Sequence, residues 1–125
     1  MNLATNEFAF AEHSIRRAKQ AFVAHMYEDA ARDAYFSALD AAKQLVSSHT
    51  GKRPTSHSGA RKHLSALVQC GLSVGSGSLD LLSSGYRRLL KDDHSAQPLI
   101  VTPEEAEDYL NRTASFIAAA KALCT

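Results

Sequence analysis

Residues 27–48 read YEDAARDAYFSALDAAKQLVSS, a run without proline or glycine that carries six alanines, at 30, 31, 34, 38, 41 and 42. Alanine has no side-chain rotamers to lose and is the strongest helix former, so the run specifies one long helix. Its side chain ends at Cβ, which lets a neighbouring helix approach closely. Tyr35, Phe36, Leu39, Leu45 and Val46 supply the larger side chains of a core. The Tyr27 and Tyr35 hydroxyls belong either at the core edge or at a groove, since a buried tyrosine usually anchors its one polar end.

The flanking segments keep the helical period. From Glu7 to Ala24, Phe8, Ala11, Ile15, Ala18 and Phe22 recur at three- and four-residue steps. Arg16, Arg17, Lys19 and Gln20 fall on the opposite, solvated side, and Asn6 suits the N-cap. Ser47–Ser58 is a loop broken by Gly51 and Pro54 and made locally positive by Lys52 and Arg53. A third helix is expected from Ser58 to Cys70 with Leu64, Leu67 and Val68 inward, and His57, at or just before its start, reads as a capping or loop residue. Gly71, Gly75 and Gly77 mark a second loop, which lacks the Gly-Lys-Ser/Thr ending of a phosphate-cradling P-loop.

A fourth helix is expected over Ser78–His94, burying Leu79, Leu82, Tyr86, Leu89 and Leu90, with an extended linker over Ser95–Val101. Thr102 as N-cap, Pro103 at the first helical position and Glu104, Glu105, Glu107 and Asp108 behind them open a last helix that runs to Leu123. Apart from Leu99-Ile100-Val101, no segment has a strand-like pattern. The expectation is one all-α domain over residues 1–125, a five-helix up-and-down bundle with short connections.

Composition sets the limits on function. With 125 residues, 45% hydrophobic, the chain is long enough to bury a core without staples. A formal net charge of +1 excludes a strongly basic nucleic-acid platform, so any anion site must be a local patch. The six histidines are scattered and form no HExxH, and Cys70 and Cys124 form no CxxC, so neither a metal site nor a cofactor is expected. Both cysteines are expected as buried thiols in a reducing cytoplasm. Met1–Glu7 has neither a basic nor an apolar leader region, and no apolar run is long enough to span a bilayer.

The densest ionisable cluster is Tyr86-Arg87-Arg88-Leu89-Leu90-Lys91-Asp92-Asp93-His94. On a continuous helix Arg87 and His94 lie about 10 Å apart on one face with Lys91 between them, while Arg88 faces Asp92 one turn on. Arginine is a permanent planar cation suited to phosphate and histidine titrates near neutral pH, so the cluster points to a phosphodiester or nucleotide. Basic residues also favour a helix C-terminus for the sake of its dipole alone.

Five segments, in order, resemble the HEPN domains, and within them the small prokaryotic group encoded beside minimal nucleotidyltransferases. They are Ala31-Arg32-Asp33-Ala34-Tyr35-Phe36-Ser37-Ala38, Thr55-Ser56-His57-Ser58-Gly59, Arg88-Leu89-Leu90-Lys91-Asp92, Val101-Thr102-Pro103-Glu104-Glu105-Ala106 and Ala114-Ser115-Phe116-Ile117. Asp93 stands where that group has tyrosine, and Arg88 to His94 satisfies the Arg-x(4–6)-His spacing of the family's ribonucleases. The resemblance implies a four-helix core plus an additional helix, a homodimer, and binding of RNA or nucleotide. It also implies one of two roles. The first is a metal-independent endoribonuclease toxin with Arg88 and His94 catalytic. The second is a non-catalytic subunit paired with a nucleotidyltransferase, the antitoxin of such pairs. Arg87, Lys91, Asp92, Arg32, Tyr35 and His57 are the implied nucleotide- or RNA-binding residues.

Overall fold

The computed structural model describes residues 7–75, 77–91 and 98–124. Helices α1 (Ala9–Val23), α2 (Tyr27–Thr50), α3 (His57–Gln69), α4 (Ser78–Tyr86) and α5 (Pro103–Leu123) form an all-α bundle, and a five-residue π-helical turn, Arg87–Lys91, continues α4. Among the described residues there is no strand.

Helix α2 is the hub. At 24 residues it is about 36 Å long, and it packs against α1, α3, α4 and α5. Its six alanines are all fully buried, as is Tyr35. Close approach of the backbones lets two buried hydroxyls bridge the helices. Ser37 Oγ donates to the Ala11 carbonyl of α1 at 2.6 Å, and Thr113 Oγ1 of α5 donates to the Ala34 carbonyl at 3.2 Å. Such bonds satisfy polar groups that would otherwise destabilise a dry interface. Phe36, expected in the core, is instead 40% exposed, because it follows Tyr35 on the turn and points off the alanine stripe.

The connections follow local chemistry. Helix α1 begins at Ala9, with Phe8 at the N-cap position and no side-chain cap; Asn6 lies outside the described residues. It ends with His25 in the left-handed region at φ 64°, where the His25 and Met26 amides bond back to the Phe22 and Ala21 carbonyls. That is the arrangement in which glycine usually closes a helix. Helix α2 ends on Gly51 at φ 79°. Ser56 caps α3, its hydroxyl accepting from the Gly59 amide at 3.0 Å, and Thr102 caps α5 by accepting from the Glu105 amide at 3.1 Å, as the Thr-Pro-Glu-Glu sequence specifies.

Three expectations are corrected. His57 is no loop residue: it is the first residue of α3, and its ring is half-buried. Cys70 is exposed rather than buried, because α3 ends there in a turn on Gly71, and Cys124 is partly buried. The fourth α-helix does not run to His94 but stops at Tyr86 and gives way to the π turn. The wider turn leaves Leu89 fully buried and Leu90 37% exposed, although a regular helix was expected to bury both. The α-helical spacing of Arg87 and Lys91 therefore lapses, and Asp92 and His94 lie outside the described residues.

Candidate functional site

Four of the five family-like segments meet at one end of the bundle. Helix α2 contributes Arg32 and Tyr35, one turn apart; α3 contributes His57; α4 and the π turn contribute Tyr86 to Lys91; and the start of α5 contributes Glu105. The Tyr35 hydroxyl bonds to His57 Nδ1. The His57 ring in turn stacks on Tyr86, with centroids 3.9 Å apart and planes 16° from parallel. Gly85 makes room for this group: a Cβ there would lie 2.7 Å from Tyr35 Cδ1.

Burial acts on both members of the Tyr35–His57 pair. Burial, reinforced by Tyr86, pushes the Tyr35 phenol well above its usual range. Burial also lowers the His57 imidazole, and the cations Arg61 and Lys43 lower it further. A protonated phenol beside a neutral imidazole can donate a hydrogen bond to Nδ1 in the tautomer that carries its N–H on Nε2. His57 is thus a positioned, uncharged ring, held face-on by one tyrosine and in its plane by another.

The arginines are held from other directions. Arg32 Nε donates to the Leu89 carbonyl of the π turn at 3.2 Å, and Arg32 pairs with Glu28 one turn earlier on α2. Arg88 meets Glu105 with two bonds, Nε to Oε2 at 2.5 Å and Nη2 to Oε1 at 2.9 Å, and Nη2 also donates to the Ile100 carbonyl at 2.9 Å. This two-pronged pairing is what the planar guanidinium is built for. The Arg88 hydrogen bonds hold the Glu105 carboxyl below its usual range, and the Thr102 backbone N–H adds to the effect. Tyr109 lies next to this pair, its phenol raised by burial and then by Glu105.

Of the residues singled out from sequence, the structure gathers Arg32, Tyr35 and His57 around the α4–π junction and ties Arg88 to the start of α5. Arg87 and Lys91 are exposed, and Arg87 acts on the Asp80 carboxyl. Asp92 and His94 lie outside the described residues. Two participants went unrecognised in the sequence. Tyr86 looked like one more apolar-face residue of its helix, and Glu105 looked like a dipole-matching first-turn acid. Thr102-x-x-Glu105 carries the capping-box signature, but nothing local says that Arg88 would also claim the carboxylate.

The HEPN domain profile matches residues 8–123. The chain belongs to the HEPN domain family. No characterised protein and no solved structure matches it. In this HEPN domain the family-like segments are structural partners of one another before they are anything else: one supplies the phenol that orients the next one's imidazole, and another is held at its first two residues, Arg88 and Leu89, by Glu105 and Arg32. Among the described residues no three histidine, cysteine, aspartate or glutamate side chains converge as metal ligands. No helix among them is long and apolar enough to cross a membrane.

Proposed function

We propose that this HEPN domain binds RNA or a nucleotide at the end of the bundle where His57 stacks on Tyr86, and that it acts as the non-catalytic partner of a nucleotidyltransferase. The observation that carries the reading is the Arg88–Glu105 pair. Cleavage without a metal requires a cation that presents its N–H groups to the phosphorane. Here the fork of Arg88 faces a carboxylate that neutralises it. Binding requires less. A neutral imidazole and a phenol ring are stacking surfaces for a base, and the exposed Arg87 and Lys91 next in sequence can meet a phosphate.

The second reading is a metal-independent endoribonuclease toxin, favoured by the Arg88-to-His94 spacing. His94 would serve as the general acid–base and Arg88 would exchange Glu105 for the scissile phosphate. Titration calorimetry with AMP and ATP, beside a cleavage assay on nuclease-free protein, separates the two. The expected result is nucleotide binding that His57→Ala weakens at least tenfold, and no cleavage. Cleavage that disappears in His94→Ala would replace this reading with the nuclease. A stable complex on co-expression with a nucleotidyltransferase tests the partnership.

Assembly as a homodimer and a cytoplasmic setting belong to the proposal. The exposed apolar side chains Val23, Met26 and Phe36 around the α1–α2 turn favour a second copy. The exposed, unpaired thiol of Cys70 favours a reducing compartment.

A further inference from the structure

Charge is distributed very unevenly along this chain. Residues 41–79 hold Lys43, Lys52, Arg53, Arg61 and Lys62 but none of the 13 aspartates and glutamates, so the net charge of +1 is +5 over this segment and −4 over the rest. The segment is the C-terminal part of α2, the loop after it, α3, and the loop and start of α4 that follow. Arg53 is neutralised by Asp40. Lys52, Arg61 and Lys62 are exposed, and among the described residues no carboxylate pairs with them.

These cations line two adjoining grooves. One, of about 560 Å³, runs along α3 past Ser58, Arg61, Lys62, Ser65 and Gln69. The other, of about 330 Å³, is bounded by Thr50, Lys52, Thr55 and His63. They share Ser56 and Gly59 as a common rim. Hydroxyls, an amide, an imidazole and cations stand along their walls beside Pro54 and Ala66, and these donors suit phosphate oxygens. Arg61 stands one helical turn after His57 on α3, and Ser56 and Ser58 of the groove flank His57, so the strip begins beside the stacking site.

We propose that the α3 face is a track for the sugar–phosphate backbone of a single-stranded RNA whose terminal base stacks at His57. The inference rests on the nucleotide- or RNA-binding reading above and deepens it by naming a polynucleotide, rather than a mononucleotide, as the ligand. A mononucleotide would use the stacking site alone. A strand of several nucleotides would add phosphate contacts to Lys52, Arg61 and Lys62, each of which releases a counterion.

The test is fluorescence anisotropy with a labelled 2′-O-methyl oligouridylate of about twelve nucleotides, whose blocked 2′ position prevents cleavage, beside AMP binding by calorimetry. The comparison is the full chain against Lys52→Gln/Lys62→Gln, two exposed positions whose change leaves the core intact. The double variant is expected to bind the oligomer about tenfold more weakly at 0.1 M salt, with its log–log salt dependence shallower by about 1.4, and to bind AMP as before. Adding Arg61→Gln deepens the loss. Equal oligomer binding by the variant overturns the proposal. So does competition by polyglutamate as strong as that by polyuridylate, which would make the face a dock for an acidic protein. AMP binding by the wild type without oligomer binding overturns the track and leaves the stacking site standing. Oligomer binding that depends on Lys52 and Lys62 but not on His57 sustains the track and removes the stacking site.

Discussion

The two sides of α2 are held in different ways. Toward α1 and α5 the contact is dry: fully buried alanines, with Phe116 and Ile117 of α5 filling the space and two buried hydroxyl-to-carbonyl bonds across the seam. Toward α3, α4 and the π turn the contacts are polar and specific: a phenol to an imidazole, a ring stack, and an arginine to a carbonyl. The first side stabilises the bundle mainly through burial and tolerates hydrophobic exchange of matching volume at its apolar positions. The second places particular atoms, and each member of it depends on its neighbour's geometry. The side whose contacts burial alone does not require is where chemistry is expected.

Breaking the dry side should cost the most. Phe116→Ala removes a ring that is 2% exposed and should lower unfolding free energy by about 3–5 kcal/mol, read from urea denaturation. On the polar side, Gly85→Ala is the most severe change, because the new methyl meets the Tyr35 ring. A destabilisation of about 1–3 kcal/mol is expected. It should be accompanied by loss of nucleotide binding out of proportion to stability, since the phenol that orients His57 must move. Equal effects of the two variants on binding would remove the distinction between the sides.

Smaller effects sharpen the comparison. His57 is lowered below its ordinary value of 6.5, first by burial, so the unfolded chain takes up a proton more readily than the folded one. Its contribution to stability is therefore complete above pH 6.5 and declines as pH falls from there toward the folded value. Denaturation midpoints across this window should drop with acid in the wild type and be flatter in His57→Gln. Smallest of all is Glu105→Gln. The pair is partly exposed on both partners, so its loss should cost at most about 1 kcal/mol. The informative readout is binding: with Arg88 relieved of its carboxylate, affinity for AMP should rise. Unchanged or weaker affinity would show that Arg88 acts only as a strut.

Much of the fold can be read along the chain because its causes are local. The alanine run of α2, the apolar period of α1 and the Thr102-Pro103 start of α5 each specify their helix from within a few residues. The π turn cannot be read that way. Arg-Arg-Leu-Leu-Lys has good helix propensity throughout, and the wider turn reflects the burial of Leu89 and the bond its carbonyl accepts from Arg32, 57 residues earlier. Separation along the chain also hid the setting of His57, 22 residues from Tyr35 and 29 from Tyr86. Between two serines and just after Pro54 it looked like a capping or loop residue, and only Tyr35 and Tyr86, from two other helices, make it a stacked neutral ring.

The residues that carry the family likeness were all visible in sequence: Arg32, Tyr35, His57, Arg88 and the helix start at Thr102. What each one touches was not, because helical periodicity says which face a side chain is on and nothing about which charge or ring another helix brings to it. The sequence by itself determined an all-α HEPN chain with a hub helix of alanines, since propensity, capping and periodicity act within a turn or two. Only the tertiary structure decided that Arg88 is paired with Glu105 and that His57 is locked between two tyrosines. Those contacts join residues 17 to 29 positions apart, and they exist only once packing has brought the helices together.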